Sequence, residues 1–339
     1  MVGPILSLLV VIALGVGVVF GAEWIWKRAG AVPDYAGSGT GTAYVVVHDG
    51  DTAADIGATM LKDKVIKSTR AFRDAAEKDQ RSRAIQPGTY RVRLHMSGAA
   101  ALAALLDPSA LVGRLTVPEG LTVAQTIAII AKHTKISVAD LTTAARRPTA
   151  LGLPDYAHGQ LEGCLFPSTY DVPQNADATA VLKMMVDRQK KQVSVAALSG
   201  RVRGVPLTPE RVLIVASLLE KESITSDFTK VARVIYNRLV AGMPLQLDST
   251  INYALGRNRA RVSEELTRTR SPYNTYLHKG LPPGPIANPG LAAIDAALHP
   301  AAGNWIYFIK ADRAGHSFFT DDPDAFARQK EKSQAEGVY

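Results

Sequence analysis

The segment LIVASLLEKES, residues 213–223, predicts a helix that is apolar on almost every side and carries acidic residues at its end. Thr208 is a good N-cap for this helix, and Pro209 suits the first helical position, where a missing N–H costs nothing. A helix that is apolar all round is expected to be buried. We therefore expect this helix to lie inside a core.

Glu220 lies on the same face of this predicted helix as Leu213, Ala216 and Ser217. Its carboxyl group is therefore expected at the edge of a dry environment. Burial disfavours the charged form of a carboxyl and raises its pKa, as a general acid that works near neutral pH requires. The alternative is a core helix whose last turn emerges into solvent, as most glutamates do.

Length and charge indicate the broad class of protein. The 339 residues are enough for two domains, and the net charge of +8 with a pI near 9.5 indicates a basic surface. Such a surface suits anionic lipid headgroups, acidic wall polymers or nucleic acid. Nucleic acid is disfavoured, because the sequence has no zinc-ligand spacing, no basic strand with interleaved aromatics and no helix-turn-helix signature. The basic residues are scattered, as a general preference for arginine would place them.

Cysteine and histidine usage predicts no metal site and no cofactor. The single cysteine, Cys164, excludes an intramolecular disulfide and is expected to be a small buried hydrophobic residue. The seven histidines form no HExxH motif, and no two of them are three or four residues apart.

Residues 3–22 are uncharged and long enough to cross about 30 Å of hydrocarbon, so they predict a single transmembrane helix. A signal peptide is the weaker alternative, because no basic region precedes the apolar run. Trp24 and Trp26 follow at interface depth, and then Lys27 and Arg28. These two charges place the large domain in the cytoplasm by the positive-inside rule.

Residues 23–41, rich in Gly, Ser, Thr and Pro towards their end, are interpreted as a flexible linker. Residues 42–112 then predict a strand, two helices and a strand, at about 44–47, 56–61, 68–78 and 89–94. This order, entered by GDT at residues 50–52, resembles the LysM glycan-binding module. A plain αβ spacer would give the same pattern.

The remaining residues, 113–335, are interpreted as a mixed α/β domain. A helix from Ser226 or Asp227 carries an apolar stripe and ends before Gly242, and Asn237 near its end is expected to bond either a ligand or a loop. In the next segment, alternation places Gln246 and Asp248 on one side of an extended chain. This pattern fits a strand at the rim of a cleft and a solvated edge strand equally well.

Two later segments, SPYNTY at 271–276 and GLPPGPIANPG at 280–290, predict a rigid loop that carries aromatic side chains. Sugars present apolar faces and a rim of hydroxyls, so stiff aromatic and amide groups suit them. The alternative is a structural turn that packs Tyr273 and Tyr276 inward. The basic stretch 257–270 suits substrate carboxylates or a solvated surface.

Seven motifs in order resemble the YceG-like family of endolytic murein transglycosylases over roughly residues 42–330. They are EGLT (119–122), LEGCLFP (161–167), ASLLEKES (216–223), YNRL (236–239), LQLD (245–248), YNTY (273–276) with the loop at 280–290, and GHSFF (315–319). Each motif is weak by itself, but their order is specific. Cys164 departs from the aromatic residue typical of the family.

The resemblance implies an α+β fold with an N-terminal transmembrane helix, a LysM-like αβ module and a mixed α/β catalytic domain. It implies an enzyme that cuts inside peptidoglycan strands between N-acetylmuramic acid and N-acetylglucosamine and leaves a 1,6-anhydromuramyl end, which would terminate nascent strands. Glu220 would act first as general acid and then as base, without a cofactor. Glu222 lies on another helix face, and a structural or electrostatic role is expected for it. The residues expected to hold the substrate are Gln246, Asp248, Tyr273, Asn274, Asn237, Glu162 and Ser217.

This reading also implies partners and a location. The substrate lies outside the cell membrane, so the large domain is expected on the extracytoplasmic side, against the flanking charges. Peptidoglycan strands are the expected partner, together with penicillin-binding proteins or other proteins of the elongation machinery.

Three other functions remain open from the sequence. They are a catalytically silent wall-binding scaffold, a water-using muramidase with Asp248 as its second carboxylate, and, least favoured, a cytoplasmic nucleic-acid binder.

Overall fold

A computed structural model describes residues 32–193, 200–202, 204–257 and 262–338, which divide into two compact units. The first unit takes the chain up to Gly113 together with Pro173–Asn175, and the second takes Arg114–Val172 and the chain from Ala176 onward. The predicted anchor, 3–22, lies outside the described residues, as does the linker up to residue 31. Within the described part of the chain, no helix has the length and apolar character needed to span a bilayer.

The first unit is an antiparallel sheet with helices packed on it. Strand β1 pairs with β2, and β2 pairs with the start of β3. Its elements are β1 (Ser38–Val47), α1 (Ala53–Lys62), α2 (Thr69–Lys78), β2 (Gly88–Met96), α3 (Gly98–Leu105) and β3 (Leu111–Val117). The predicted order of strand, helix, helix and strand is confirmed, and the likeness to a LysM module stays a prediction.

Strand β1 starts earlier than expected. Residues 38–41, expected in the linker, are strand because they pair with the end of β2, with Ser38 opposite Met96. An irregularity in the register between Thr40 and Ala43 lets this extension follow β2. Beyond it, alternation is regular: Val45 and Val47 are buried, while Val46 is exposed.

The second unit is mostly helical. Its helices are α4 (Val123–His133), α5 (Val138–Ala145), α6 (Pro148–Leu151), α7 (Ala178–Gln192), α8 (Pro209–Glu222), α9 (Phe228–Val240), α10 (Asp248–Ala254), α11 (Leu291–Leu298) and α12 (Pro323–Ala335). Its further strands are β4 (Ser168–Pro173) and the antiparallel hairpins β5 (Gly200–Val202) with β6 (Val205–Leu207) and β7 (Tyr307–Lys310) with β8 (Ser317–Thr320). The sequence analysis predicted neither β4 nor the two hairpins.

Helix α8 is the centre of one of two apolar clusters in this unit, as the sequence predicts. Thr208 caps it by accepting the Arg211 N–H at 3.3 Å, and every residue from Val212 to Leu219 is buried. The helix packs against α9 and α11. The second cluster lies among α4, α5, α7 and β4.

The segment before α10 differs from the predicted strand. Leu245 and Leu247 are buried as alternation predicts, but Gln246 has φ of +52° and Asp248 is the first residue of α10. A left-handed residue cannot continue a strand, so Gln246 and Asp248 do not share one extended face. The prediction of a strand through Asp248 was wrong.

Candidate active site

Helix α8 brings Glu220 to the edge of its core. The helix buries every residue from Val212 to Leu219, and Glu220 in the last turn is only half-buried. A long side chain at that position reaches from the apolar cluster to its boundary. The structure therefore places the Glu220 carboxyl where the sequence predicted it.

Two glycines flank the Glu220 side chain. The Gly290 N–H donates a hydrogen bond of 2.8 Å to Glu220 Oε1. Gly120 has φ of +73°, and a Cβ atom there would lie 3.4 Å from both Cβ and Oε2 of Glu220. The carboxyl is therefore held at Oε1, and a side chain at position 120 would come into contact with Oε2 from that side.

The environment of Glu220 favours its protonated form. Burial raises the pKa of this carboxyl to about 6, and the negative charge of Glu119 also raises it. The Gly290 N–H and the ammonium group of Lys221 act in the opposite direction, because both favour the charged form. Burial is the largest effect, so Glu220 keeps a proton nearer to neutral pH than an ordinary glutamate does.

Asn288 fixes the loop that carries Gly290. Its side chain is buried, with Nδ2 donating to the Leu121 carbonyl at 2.8 Å and Oδ1 accepting the Leu165 N–H at 2.9 Å. Its backbone adds a pair of bonds, from Asn288 N–H to the Leu121 carbonyl and from Gly120 N–H to the Asn288 carbonyl, at 2.8 and 2.9 Å. One residue thus joins three of the sequence motifs beside Glu220. The sequence analysis quoted its segment but did not select it.

Glu162 is a second carboxyl group of this site, and it bonds the side chain of Asn288. Its oxygens accept the Val123 N–H at 3.0 Å, the Tyr253 hydroxyl at 3.3 Å and the Asn288 amide at 3.3 Å. Burial raises the pKa of Glu162 to about 7 despite these donors. Because both oxygens are occupied by protein groups, the structure presents Glu162 as an orienting group.

Ser217 joins the rigid loop to helix α8. Its hydroxyl donates to the Ile214 carbonyl at 2.7 Å and accepts the Ile286 N–H at 3.0 Å. The side chain is completely buried. Ser217 was expected among the substrate-holding residues, but its burial and its two bonds within the protein give it a structural position.

Asn274 and Asn237 are likewise occupied by the protein. The buried amide of Asn274 donates to the carbonyls of Thr267 and Thr269 at 2.9 and 2.7 Å, and its oxygen accepts the Tyr276 N–H at 2.9 Å. Asn237 donates to the carbonyl groups of residues 303 and 305 at 3.2 and 2.8 Å. For Asn237 the structure shows a bond to a loop, which is one of the two alternatives, and both side chains are buried.

Gln246 and Tyr273 are more accessible to a ligand than Asn237, Asn274 and Ser217 are. Gln246 is exposed, its side chain makes no hydrogen bond within the described part of the chain, and its positive φ is a strained conformation of the kind that clusters at functional sites. Tyr273 is half-buried against Tyr253, with ring centroids 4.9 Å apart. Packing fixes the ring while leaving part of it accessible, which suits the apolar face of a sugar.

Asp248 and Glu222 form a second pair of acidic residues, near the start of α10. Its Oδ1 accepts the Tyr276 hydroxyl at 2.5 Å and its Oδ2 accepts the Val262 N–H at 3.3 Å. Glu222 accepts the Ser249 N–H at 3.3 Å, and burial raises its pKa. Glu222 therefore connects the end of α8 to the start of α10. Asp248 is held by Tyr276, for which the sequence analysis proposed no part in binding the substrate.

Metal-ligating side chains do not gather in the described residues: no group of three or more His, Cys, Asp or Glu is placed to hold an ion. Cys164 is buried and its thiol has a pKa raised to about 12 by burial, as expected of a small core residue.

Comparison with known proteins places this geometry in a family. A model of the YceG-like family matches residues 45–332. The endolytic murein transglycosylase of Bacillus subtilis is 32% identical over 310 residues, which cover 86% of this chain and 84% of the relative. The endolytic murein transglycosylase of Streptococcus pneumoniae strain R6 is 30% identical over 312 residues, which cover 83% of this chain but only 56% of the relative.

A solved structure shares the fold. The crystal structure of a YceG-like protein from Listeria monocytogenes aligns with a TM-score of 0.55 at 24% identity, over 85% of this chain and 99% of the other. Together with the family match, this confirms the predicted mixed α+β class.

Replacing Asn288 by alanine should destabilise the fold. The change removes the side-chain bonds to Leu121 and Glu162 and leaves the buried Leu165 N–H unpaired, so we expect a loss of about 2–4 kcal/mol in the free energy of unfolding. Urea denaturation measures it. The control is Asn304→Ala, at an exposed side chain with no hydrogen bond in the described structure, which should change stability by less than about 0.5 kcal/mol. Equal effects would contradict the role given to Asn288.

Replacing Glu220 by glutamine should stabilise the protein at high pH. The folded chain holds the Glu220 proton more tightly than the unfolded chain, so stability falls as pH rises from about 4.5 to about 6. Glutamine cannot ionise and keeps an acceptor for the Gly290 N–H. We expect Glu220→Gln to raise the free energy of unfolding by about 2 kcal/mol near pH 8 and hardly at all near pH 4. A difference that is independent of pH in denaturation experiments would contradict the raised pKa.

Proposed function

The chain belongs to the YceG-like family, and on that premise we propose that it is a lytic transglycosylase, which cuts peptidoglycan strands internally between N-acetylmuramic acid and N-acetylglucosamine. The relatives from two genera are named endolytic murein transglycosylases. The observation that carries the proposal is Glu220, a half-buried carboxyl with a pKa raised to about 6 at the end of a buried helix. A single proton donor of that kind is what glycosidic cleavage requires.

In the proposed reaction, Glu220 donates its proton to the glycosidic oxygen as the bond from that oxygen to C1 of the muramyl residue breaks. The departing N-acetylglucosamine keeps the proton as a hydroxyl, and positive charge develops at C1. The muramyl 6-hydroxyl then bonds C1 through its oxygen, and its proton passes to the Glu220 carboxylate. Glu220 is regenerated, no water is consumed, and the product is the 1,6-anhydro sugar.

This chemistry needs one carboxyl group that serves both steps. Ordinary glycosidases use two carboxyl groups, one of which activates water or attacks the sugar. An internal hydroxyl takes the place of the external nucleophile here. In the structure, the Gly290 N–H occupies Oε1 of Glu220, which leaves Oε2 to carry and return the proton.

Gln246, Asp248 and Tyr273 are the residues we propose for holding the sugar chain. The amide of Gln246 is not bonded within the described residues, and Tyr273 offers part of an aromatic face. The Asp248 carboxylate is held by the Tyr276 hydroxyl and the Val262 N–H, and its oxygens keep further lone pairs that can accept from a sugar hydroxyl. Asn274, Asn237 and Ser217 support these groups from within the fold, and Glu162 orients the junction at Asn288.

Glu220→Gln should abolish the release of anhydromuramyl fragments. Loss of a general acid typically costs about 10²- to 10⁴-fold in rate, and glutamine preserves the shape of the side chain. Mass spectrometry of fragments released from purified peptidoglycan by the purified chain measures this. Glu222→Gln should cause a smaller loss, because Glu222 bonds the backbone of α10. Reducing ends in place of anhydro ends would identify a water-using muramidase, and no cleavage by the wild type would favour a silent wall-binding scaffold.

We propose that residues 3–22 anchor the chain in the cell membrane with the large domain on the extracytoplasmic side, where peptidoglycan lies. This proposal runs against the two basic residues that follow the apolar segment. A reporter enzyme that is active only outside the cytoplasm, fused after Tyr339, should be active. Activity only of a matching cytoplasmic reporter would contradict the location and the function with it. Penicillin-binding proteins or other elongation proteins are the partners we propose at this location.

A further inference from the structure

Glu119 lies directly against Gly290. A Cβ atom at Gly290 would fall 1.9 Å from Glu119 Oε1 and 2.2 Å from its Cδ, closer than any real contact. The backbone of Gly290, with φ of −84° and ψ of 176°, is one that any residue adopts. A side chain at this position would therefore meet the Glu119 carboxylate first and would have to move it.

Gly290 also contacts Glu220. The Gly290 N–H donates to Glu220 Oε1 at 2.8 Å, and a Cβ atom at Gly120, the neighbour of Glu119 in sequence, would lie 3.4 Å from Glu220 Cβ and Oε2. Two carboxyl groups thus lie beside one glycine. Their separation is short enough for the charge of Glu119 to act on Glu220.

The two carboxyl groups have different environments. Glu220 is half-buried and bonded to the loop, whereas Glu119 is exposed and makes no hydrogen bond or ion pair with any described residue. The site therefore combines a half-buried carboxyl that is held by the loop with an exposed carboxyl that no described residue bonds, so the two groups are placed for different roles.

We propose that Glu119 is a second catalytic carboxylate, which contacts the muramyl ring and stabilises the positive charge that develops there when the glycosidic bond breaks. The proposal rests on the transglycosylase function proposed above. Glu119 forms no bond to the sugar and transfers no proton, because the 6-hydroxyl supplies the new bond to C1. A carboxylate next to the position of the acid can stabilise positive charge that develops on the sugar.

A second effect of Glu119 acts through Glu220. The charged groups that affect Glu220 are Glu119, which favours its protonated form, and Lys221, which favours its ionised form. The Gly290 N–H also favours the ionised form. Removing the Glu119 charge should therefore lower the pKa of Glu220, so that activity is lost at lower pH than in the wild type.

Steady-state kinetics of Glu119→Gln over a range of pH test the proposal. We expect kcat to fall about tenfold or more even where Glu220 is fully protonated, with KM changed less than about threefold, and the high-pH limb of the profile to move to lower pH. The matched control is Glu331→Gln on helix α12, at an exposed carboxyl with no hydrogen bond or ion pair among the described residues; it should behave as the wild type.

Gly290→Ala provides a second variant that keeps the N–H donor to Glu220. Its methyl group must displace the Glu119 carboxylate, so kcat should fall as it does in Glu119→Ala. In a Glu119→Ala background the same methyl group has room, and Gly290→Ala should then cause little further loss. Additive losses would show that Gly290 acts independently of Glu119 and would overturn this explanation.

Unchanged kcat and pH profile in Glu119→Gln, with an active wild type, would overturn the catalytic role of Glu119 alone. A loss confined to KM would also overturn it, since Glu119 would then be a binding contact only. A wild type that releases no anhydromuramyl ends would instead overturn the proposed function on which this role rests.

Discussion

The hydrogen bond from the Gly290 amide to Glu220 is the interaction on which the site depends. Asn288, two residues earlier, fixes the loop that supplies this amide through bonds to Leu121 and Leu165 from separate parts of the chain. This arrangement holds one oxygen of Glu220 in place while burial still favours the protonated form. The same loop is joined to α8 by Ser217, so the acid and its hydrogen-bond donor share one rigid core.

The fold follows from the sequence where periodicity is strong. The apolar run 212–219 predicted a buried helix, and Thr208 and Pro209 fixed where it begins; both are confirmed. Strand β4 and the two hairpins were missed, because such short segments carry little periodic signal. The prediction of a strand through Asp248 was wrong because Gln246 has a positive φ, which turns the chain. Alternation of polar and apolar residues does not reveal such a backbone conformation.

The site was predicted less completely than the fold. Burial along one helix predicted a raised pKa for Glu220 but left a solvent-exposed last turn open, and the resemblance to a family supplied the role of acid. Polar residues such as Asn274 and Ser217 were assigned to the substrate because their type suits sugars, yet the structure uses them inside the protein. Sequence does not show whether an amide faces a ligand or a backbone carbonyl, because that depends on contacts between distant segments. Asn288, joined to Leu165 across the chain, was overlooked for the same reason.

The pKa of Glu220 is the most direct test of how this site works. Titration of the protein with ¹³C-labelled glutamate carboxyl groups, followed by NMR, identifies the Glu220 signal as the one absent from Glu220→Gln. The structure predicts a midpoint of about 6 for that signal. A midpoint near 4.5, the value of an ordinary glutamate, would show that the helix and loop do not hold a proton on Glu220 and would contradict its role as the acid.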